Sequence, residues 1–211
     1  MIHIEKFVNG NWSENCYAVH DPQGHCVIID PGGSPEQIAE FVENRQLRPL
    51  AILNTHAHYD HIGAVEALKN KFEMPFYLHS KDLALLSHAN LYRALFDGDA
   101  LISLPSVDRF VDRIKTPIQK GELSIEVLWT PGHTPGGVCF LIEDALFSGD
   151  TLLHGKIGRV DLPGGDQEDL CVSLQQFKDL PPKTKVYPGH GESTTLGDEL
   201  QQNQPFREAL R

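Results

Sequence analysis

The chain has 211 residues, of which 40% are hydrophobic and 22% are charged, and its formal net charge is −11 at pH 7. This acidic balance disfavours non-specific binding to nucleic acids and adsorption to anionic membranes, because both rely on clustered lysine and arginine. No run of about 20 apolar residues occurs, so no transmembrane helix is expected.

The N-terminus, MIHIEKFVNGNWSEN, lacks the apolar segment of a signal peptide. The chain has four cysteines, and none belongs to a C-x-x-C pair, which excludes a cysteine zinc knuckle. Cys16 and Cys139 lie in apolar stretches, where buried thiols are expected. A chain without an export signal is expected in the reducing cytoplasm.

The first half of the chain alternates strand-like and helix-like segments. CYAV (16–19) and CVIIDPGG (26–33) predict two strands joined by a turn at DPQG. SPEQIAEFVENRQ (34–46) predicts a helix, with Ser34 at the N-cap and Pro35 at the first helical position.

The next elements lead into and out of a cluster of histidines. LAILNTH (50–56) predicts a buried strand that ends at the cluster, and residues 62–72 predict the helix that follows. MPFYLH (74–79) predicts a further strand, and residues 80–96 a further helix.

The second half predicts strands near 107–111 and 123–129, a hairpin over 138–149, a helix over 166–178 and a final strand in TKVYPGH, with a partly helical C-terminus. These patterns predict two sheets packed together with helices outside, in a single domain spanning residues 1–211. The strand ends LNTH, WTPGH, FSGD and YPGH each finish on a residue that can bind a metal.

The segment NTHAHYDHIGA contains three histidines and an aspartate. His56 and His58 are separated by one residue, and alternate side chains of an extended segment point the same way. Asp60 and His61 follow, where the chain is predicted to turn into a helix. The two pairs are therefore expected to address two adjacent metal ions.

The downstream loops supply three further candidate ligands, which are His133, Asp150 and His190. One assignment divides six of the ligands into two triads: His56, His58 and His133; and Asp60, His61 and His190. The assignment places Asp150 between the two triads, because a carboxylate can bridge two ions. Open coordination positions remain for water and substrate, as in a catalytic site, and imidazole with carboxylate suits zinc, iron and manganese.

The order T-H-x-H-x-D-H, P-G-H-T, S-G-D and P-G-H resembles the metallo-β-lactamase superfamily. All seven ligand positions of its dinuclear members are matched, and the resemblance extends to IDPGG (29–33). It implies an α/β fold, the αββα sandwich, with the metals at one edge of the two sheets. It also implies two divalent ions, with zinc as first choice and iron or manganese as alternatives.

Residues 155–166, GKIGRVDLPGGD, resemble the short, single-domain glyoxalase II-like branch, the hydroxyacylglutathione hydrolases and their relatives. That branch implies hydrolysis of a small-molecule acylthiol such as S-lactoylglutathione by a metal-bound hydroxide, oriented by Asp60 and Asp150. Arg159 matches a basic residue that contacts glutathione, which predicts substrate binding. The alternative is that Arg159 pairs with Asp161 and holds the loop.

Some positions depart from the full-length glyoxalase II pattern. Asp161 and Glu192 replace tyrosines, and only 21 residues follow His190, so no separate C-terminal glutathione-binding helical domain is expected. The roles of Asp161, Glu192 and His154 and the oligomeric state are left open, although His154 could line the pocket entrance. Local hydrogen bonding is expected for His79, and packing for Trp12 and Trp129.

Other activities of the same superfamily are the alternatives. A persulfide dioxygenase would use one iron on His56, His133 and Asp150. A lactonase or other ester hydrolase, including a β-lactamase, would use a similar centre, although the stretch around Arg159 and the missing export signal argue against these. A nuclease is disfavoured by the charge, and a purely structural metal protein by the open ligand set.

Overall fold

The computed structural model describes residues 1–98 and 101–211, and the first half of the chain folds into a six-stranded sheet. Its strands, side by side in chain order, are β1 (His3–Asn9), β2 (Glu14–His20), β3 (His25–Ile29), β4 (Arg48–Leu53), β5 (Phe76–Leu78) and β6 (Arg109–Phe110). Strands β1 to β3 pair antiparallel, and β3 to β6 pair parallel. The carboxyl ends of β3, β4 and β5 therefore meet at one edge.

Helices connect the parallel strands of this sheet. They are α1 (Pro35–Asn44), α2 (Tyr59–Ile62), α3 (Val65–Phe72) and α4 (Leu83–Phe96), and short 3-10 helices cover Ser80–Asp82 and Val111–Arg113. Over the two described ranges, no helix combines the length and the apolar character needed to cross a membrane.

The second half builds a second six-stranded sheet and a small hairpin. Its strands are β7 (Ile118–Lys120), β8 (Leu123–Trp129), β9 (Val138–Ile142), β10 (Ala145–Gly149), β11 (Leu152–Leu153), β12 (Lys156–Ile157), β13 (Lys185–Pro188) and β14 (Thr194–Thr195). The sheet order is β14-β13-β10-β9-β8-β7, and β11 with β12 forms the separate hairpin. Helices α5 (Gln167–Gln175), α6 (Leu196–Gln202) and α7 (Gln204–Ala209) follow, with a 3-10 turn at Gln176–Asp179.

Alternating side chains explain how the layers pack. In β2, Tyr17 and Val19 face the second sheet in one buried cluster, whereas Cys16 and Ala18 belong to a cluster shared with α1, α3 and α4. A third cluster packs the outer face of the second sheet against α5, α6 and α7. The layers are therefore helix, sheet, sheet and helix, which confirms the predicted αββα sandwich.

Most predicted elements lie where the sequence places them, including the hairpin of β9 and β10 and the helix after IDPGG. Pro35 occupies the first helical position as predicted. Ser34 precedes it, but its φ of 50° is left-handed and its side chain makes no capping hydrogen bond. Thr195 does cap α6, because its hydroxyl accepts a hydrogen bond from the Asp198 amide.

The helix predicted over 62–72 is present as far as Phe72, but its predicted start is wrong. The chain forms α2 at Tyr59–Ile62 and begins α3 only at Val65. The Ala64 amide donates to the Pro31 carbonyl at 2.9 Å, so it does not continue the hydrogen-bond ladder of α2. α2 is therefore a separate short helix, and the chain between α2 and α3 is bonded to Pro31, just after β3.

The second half contains more strands than its sequence suggests. The predicted final strand, β13, is followed by β14, which pairs with it antiparallel. The hairpin of β11 and β12 has only two residues in each strand, which is too short for a period-two pattern to develop.

A buried carboxylate joins the turns of two sheets. Asp21 lies between β2 and β3 and accepts hydrogen bonds from the Glu122 amide at 2.9 Å and from His25 Nδ1 at 2.8 Å. Burial raises the pKa of Asp21, but the hydrogen bonds from Glu122 and His25 outweigh burial and lower the pKa to about 2. The ionised Asp21 carboxylate therefore stabilises the folded state at pH values above its ordinary pKa. This stabilisation is lost as the pH falls towards the lowered pKa.

We expect Asp21→Asn to lower the free energy of unfolding by about 1 kcal/mol at pH 7, because the ionised acceptor is lost. Urea unfolding at a series of pH values should show the difference shrinking as the pH falls from about 5 towards the lowered pKa. The matched control is Glu122→Gln, which keeps the amide that Asp21 accepts and should leave the curve unchanged. A difference that does not depend on pH would contradict this interpretation.

Candidate metal centre

Four loops bring all seven predicted ligands to the edge where β3, β4 and β5 end. One loop follows β4 and contains α2, and the others follow β8, β10 and β13. Asn54 holds the first loop in shape by donating to the His61 carbonyl at 2.8 Å. Gly149 has a φ of 48° and lies so close to Thr55 that a Cβ would clash with the threonine hydroxyl. This close approach carries Asp150 to the histidines.

The first group of ligands consists of three histidines. The candidate ligand atoms of His56, His58 and His133 all lie within 4.8 Å of one another. His133 Nε2 is 3.0 Å from His58 Nδ1, and the three rings meet edge to face. His56 Nε2 is buried and has no hydrogen-bond partner. A buried nitrogen of this kind is costly unless something binds it, which fits a metal ligand.

The second group consists of one aspartate and two histidines. The ligand atoms of Asp60, His61 and His190 also lie within 4.8 Å of one another. His61 Nε2 is 3.3 Å from His190 Nε2, and His190 Nε2 is 3.4 Å from Asp60 Oδ2. Two nitrogens and a carboxylate oxygen around one point are a suitable donor set for a divalent cation.

Asp150 lies between the two groups. Its Oδ2 atom is 3.5 Å from His133 Nε2 and 3.6 Å from His190 Nε2, while its Oδ1 atom is 3.8 Å from His61 Nε2. Oδ1 is buried without a hydrogen-bond partner. The carboxylate can therefore contribute to both groups, as the sequence assignment expects, and the donor set fits two divalent ions.

Main-chain carbonyls fix which nitrogen of two histidines faces the centre. His133 Nδ1 donates to the Arg159 carbonyl at 2.7 Å, and His190 Nδ1 donates to the Trp12 carbonyl at 3.0 Å. A carbonyl only accepts, so each Nδ1 must carry a proton and each Nε2 is left free for a metal.

Asp30, which directly follows β3, orients His61 from the side away from the cavity. It is 2% exposed and accepts hydrogen bonds from the Thr55 amide at 2.6 Å and the Thr55 hydroxyl at 2.5 Å. Its Oδ2 atom also accepts from His61 Nδ1 at 3.2 Å. Asp30 could itself form a ligand group with His56 and His61, but its oxygens are already used. We therefore assign it to orientation, a role that sequence reasoning missed.

The charge states of His58 and Asp150 suit metal binding directly, whereas that of His61 does not. Burial and the neighbouring His133 lower the pKa of His58 to about 3, so its imidazole is neutral at pH 7. Burial raises the pKa of Asp150, but His190 and His61 lower it overall, so the carboxylate is ionised. Burial lowers the pKa of His61, but Asp60 and Asp30 raise it overall. A metal bound there would displace a proton from His61.

A second buried carboxylate, Asp82, ties two ligand loops together. It accepts hydrogen bonds from the Ala57 amide at 3.0 Å, the Thr134 hydroxyl at 2.9 Å and the Gly136 amide at 2.6 Å. Ala57 lies between the first two histidines, and Thr134 follows His133. Sequence reasoning missed Asp82, because nothing in its local pattern indicates contacts with two distant loops.

We expect Asp82→Ala to lower metal affinity by about 10- to 100-fold, because the loops that hold His58 and His133 lose their common anchor. Three donors would also lose their partner, so the unfolding temperature should fall. The matched control is Asp112→Ala. Asp112 accepts hydrogen bonds from the amide and hydroxyl of Ser80, which lies on the same 3-10 turn as Asp82. Metal titration that gives equal affinities for Asp82→Ala and the unaltered protein would refute the anchoring role.

The centre forms the floor of an open cavity of about 350 Å³. This volume is in the range of small-molecule sites. Five of the predicted ligands line it, namely His58, Asp60, His133, Asp150 and His190. His56 and His61 lie behind them and are buried.

Arg159 also lines the cavity, and its guanidinium is paired. Its Nε and terminal nitrogen donate to the two Asp161 oxygens at 2.6 and 2.7 Å. Both side chains are more than half exposed. Lys156, which sequence reasoning did not single out, also lines the cavity and provides a second cation.

The remaining polar candidates lie outside the cavity or serve the fold. His154 is exposed and is not among the residues that line the cavity. His79 accepts a hydrogen bond from the Lys81 amide, which confirms its local role. Trp129 stacks on His79, with ring centroids 5.6 Å apart. The prediction for Trp12 is incomplete, because its side chain forms part of the cavity wall.

Fold and site together define a class of protein: αββα sandwiches with an open histidine–aspartate metal centre at one edge. The family model of the metallo-beta-lactamase superfamily matches residues 9–190. The chain belongs to this superfamily.

Similar proteins cover nearly the whole chain. Probable metallo-hydrolase YqgX of Bacillus subtilis is 38% identical over 193 residues, with 90% of each chain covered. Hydroxyacylglutathione hydrolase GloC of Haemophilus influenzae is 34% identical over 206 residues, covering 92% of this chain and 93% of the relative.

Two solved structures extend the comparison. The crystal structure of BLEG-1 B3 metallo-beta-lactamase has a TM-score of 0.90 and 37% identity, covering 96% of this chain and 98% of that one. TTHA1623 in a di-iron-bound form has a TM-score of 0.84 and 40% identity, covering 95% and 98%.

Proposed function

We propose that this chain is a metal-dependent hydrolase of the glyoxalase II type, which cleaves a thioester such as S-lactoylglutathione. One observation carries the proposal: two ligand triads share Asp150 at the floor of an open cavity. The similarity to a relative named hydroxyacylglutathione hydrolase supports the choice of a thioester.

The two triads would each hold one divalent ion: His56, His58 and His133; and Asp60, His61 and His190. Metals bound there would lower the pKa of a water molecule and polarise the substrate carbonyl. Zinc is our first choice, with manganese as an alternative and with iron supported by the di-iron form of TTHA1623.

The carboxylates of the centre would orient the attacking water. Burial raises the pKa of Asp60, but His61 and His190 lower it well below its usual range, so Asp60 is ionised at neutral pH. Asp150 lines the cavity with a partly exposed side chain and can accept a hydrogen bond from water there. These two residues are therefore our candidates for catalytic carboxylates, and no separate general base is assigned.

Arg159 and Lys156 would bind an anionic part of the acylthiol. The pair of Arg159 and Asp161 is exposed, and such pairs contribute only about 0–1 kcal/mol to stability. A substrate carboxylate could therefore replace Asp161 in the same bidentate geometry. The proposed partner is a small molecule, with neither a nucleic acid nor a membrane involved.

The test combines metal analysis with thiol release on one preparation. Two bound metals and release of free thiol from S-lactoylglutathione or another acylthiol are the expected result. One bound iron with oxygen uptake on glutathione persulfide would instead support the dioxygenase. Cleavage of lactones or β-lactams without thiol release would support the other hydrolases of the superfamily.

A further inference from the structure

One side of the cavity is an apolar wall that the metal centre does not use. We call it the aromatic wall, and it consists of Trp12, Tyr59, Tyr92 and Phe96. Phe96 and Tyr92 come from the last turns of α4, and Tyr59 begins α2. Trp12 is 49% exposed and Phe96 is 53% exposed, so both rings still offer a large area to a ligand.

One carboxylate holds the polar ends of two of these rings. Trp12 Nε1 donates to Asp97 Oδ1 at 2.6 Å, and the Tyr59 hydroxyl donates to the same oxygen at 3.3 Å. The indole N–H and the phenol are therefore already satisfied, and the exposed ring faces of Trp12 and Phe96 remain for apolar contacts. Asp97 is in this way a positioning residue for the wall.

The aromatic wall adjoins one triad, and Arg159 adjoins the other. The Trp12 carbonyl accepts from His190 Nδ1 at 3.0 Å, and Tyr59 directly precedes Asp60. On the opposite triad, the Arg159 carbonyl accepts from His133 Nδ1 at 2.7 Å. The cavity therefore has the aromatic wall beside His190 and Arg159 beside His133.

We propose that the aromatic wall binds the acyl group of the substrate, and that this group is an apolar chain of several carbons. The anionic thiol portion then extends towards Lys156 and Arg159. A short hydroxyacyl group would leave most of the wall uncovered, and the indole N–H and the Tyr59 phenol are already taken by Asp97. This inference rests on the proposed thioester hydrolysis, in which water adds across the C–S bond to give a carboxylate, a thiol and a proton.

The test is a series of S-acylglutathiones from acetyl to hexanoyl, assayed by thiol release with the metal-loaded protein. We expect kcat/KM to rise about fourfold per added methylene, since each buried CH₂ favours binding. Trp12→Ala and Phe96→Ala should flatten the series, and Trp12→Phe should restore part of the slope. Leu95→Ala is the matched control, because Leu95 lies on the same helix, is 68% exposed and does not line the cavity.

A flat or falling series in the unaltered protein would overturn the proposal, as would a slope that survives both Trp12→Ala and Phe96→Ala. Binding of uncleavable S-alkylglutathiones, propyl to hexyl, provides a second arm measured by calorimetry. If no acylthiol releases thiol, the proposed hydrolysis is refuted. The binding measurements still test whether the aromatic wall binds an apolar chain. Affinity that rises with chain length supports the aromatic wall, and affinity that does not rise refutes it.

Discussion

Replacing Asp150 with alanine is expected to lower acylthiol hydrolysis by about a thousandfold or more. The carboxylate lies 3.5 Å from His133 and 3.6 Å from His190, so it faces both triads. Its loss removes a shared anion and an acceptor for the attacking water. Losing several kcal/mol of metal-assisted stabilisation corresponds to a rate loss of about this size.

The measurement is kcat for thiol release together with the metal content of the purified variant. Asp169→Ala is the matched control, because Asp169 is an exposed carboxylate in the first turn of α5. It should retain full activity and both metals. An Asp150→Ala variant that keeps more than about a tenth of the activity would exclude the bridging role.

The second large effect is expected on metal removal. Without metal, His56 Nε2 and Asp150 Oδ1 are buried and unpaired, which is unfavourable for the folded state. An ion that binds only the folded chain adds about 4 kcal/mol of stability when it is present at a thousand times its Kd. For a chain of this length, chelation should therefore lower Tm by about 10 °C.

Calorimetric melting before and after chelation, with zinc added back, checks this expectation. Asp150→Ala should lose most of the shift, whereas His88→Ala, which changes an exposed histidine, should keep it. Equal Tm values for the chelated and zinc-loaded protein would mean that the buried ligand atoms do not hold a metal.

The division of the ligands was accessible from the sequence because short motifs encode it locally. The one-residue spacing of His56 and His58 predicts that both side chains face one metal ion. The adjacent Asp60 and His61 are expected to face a second ion. The strand ends before His133 and His190 indicate loops at a sheet edge. The structure places His133 with His56 and His58, and His190 with Asp60 and His61, as in the assignment made from the sequence.

Most of the supporting residues were not accessible from the sequence, because their roles arise from tertiary contacts. Asp82 lies far along the chain from the loops that it joins, and its own neighbourhood resembles the start of an ordinary helix. Trp12 precedes every motif, yet its carbonyl orients His190 and its ring lines the cavity. Asp30 could have been suspected, since it ends a strand next to β4.

Local geometry also limited the prediction of the elements. The apolar pattern after His61 is helical throughout, but the Ala64 amide bonds to Pro31 and separates α2 from α3. For Arg159, the sequence left substrate binding and loop pairing open. The structure contains the pairing with Asp161, and substrate binding stays a prediction.

The central claim is that two metal ions share Asp150 between the two triads. The most direct measurement is anomalous diffraction from crystals of the zinc-loaded protein, recorded above and below the zinc edge. We predict two peaks, one enclosed by His56, His58 and His133 and the other by Asp60, His61 and His190. A single peak, or peaks away from these side chains, would contradict the claim.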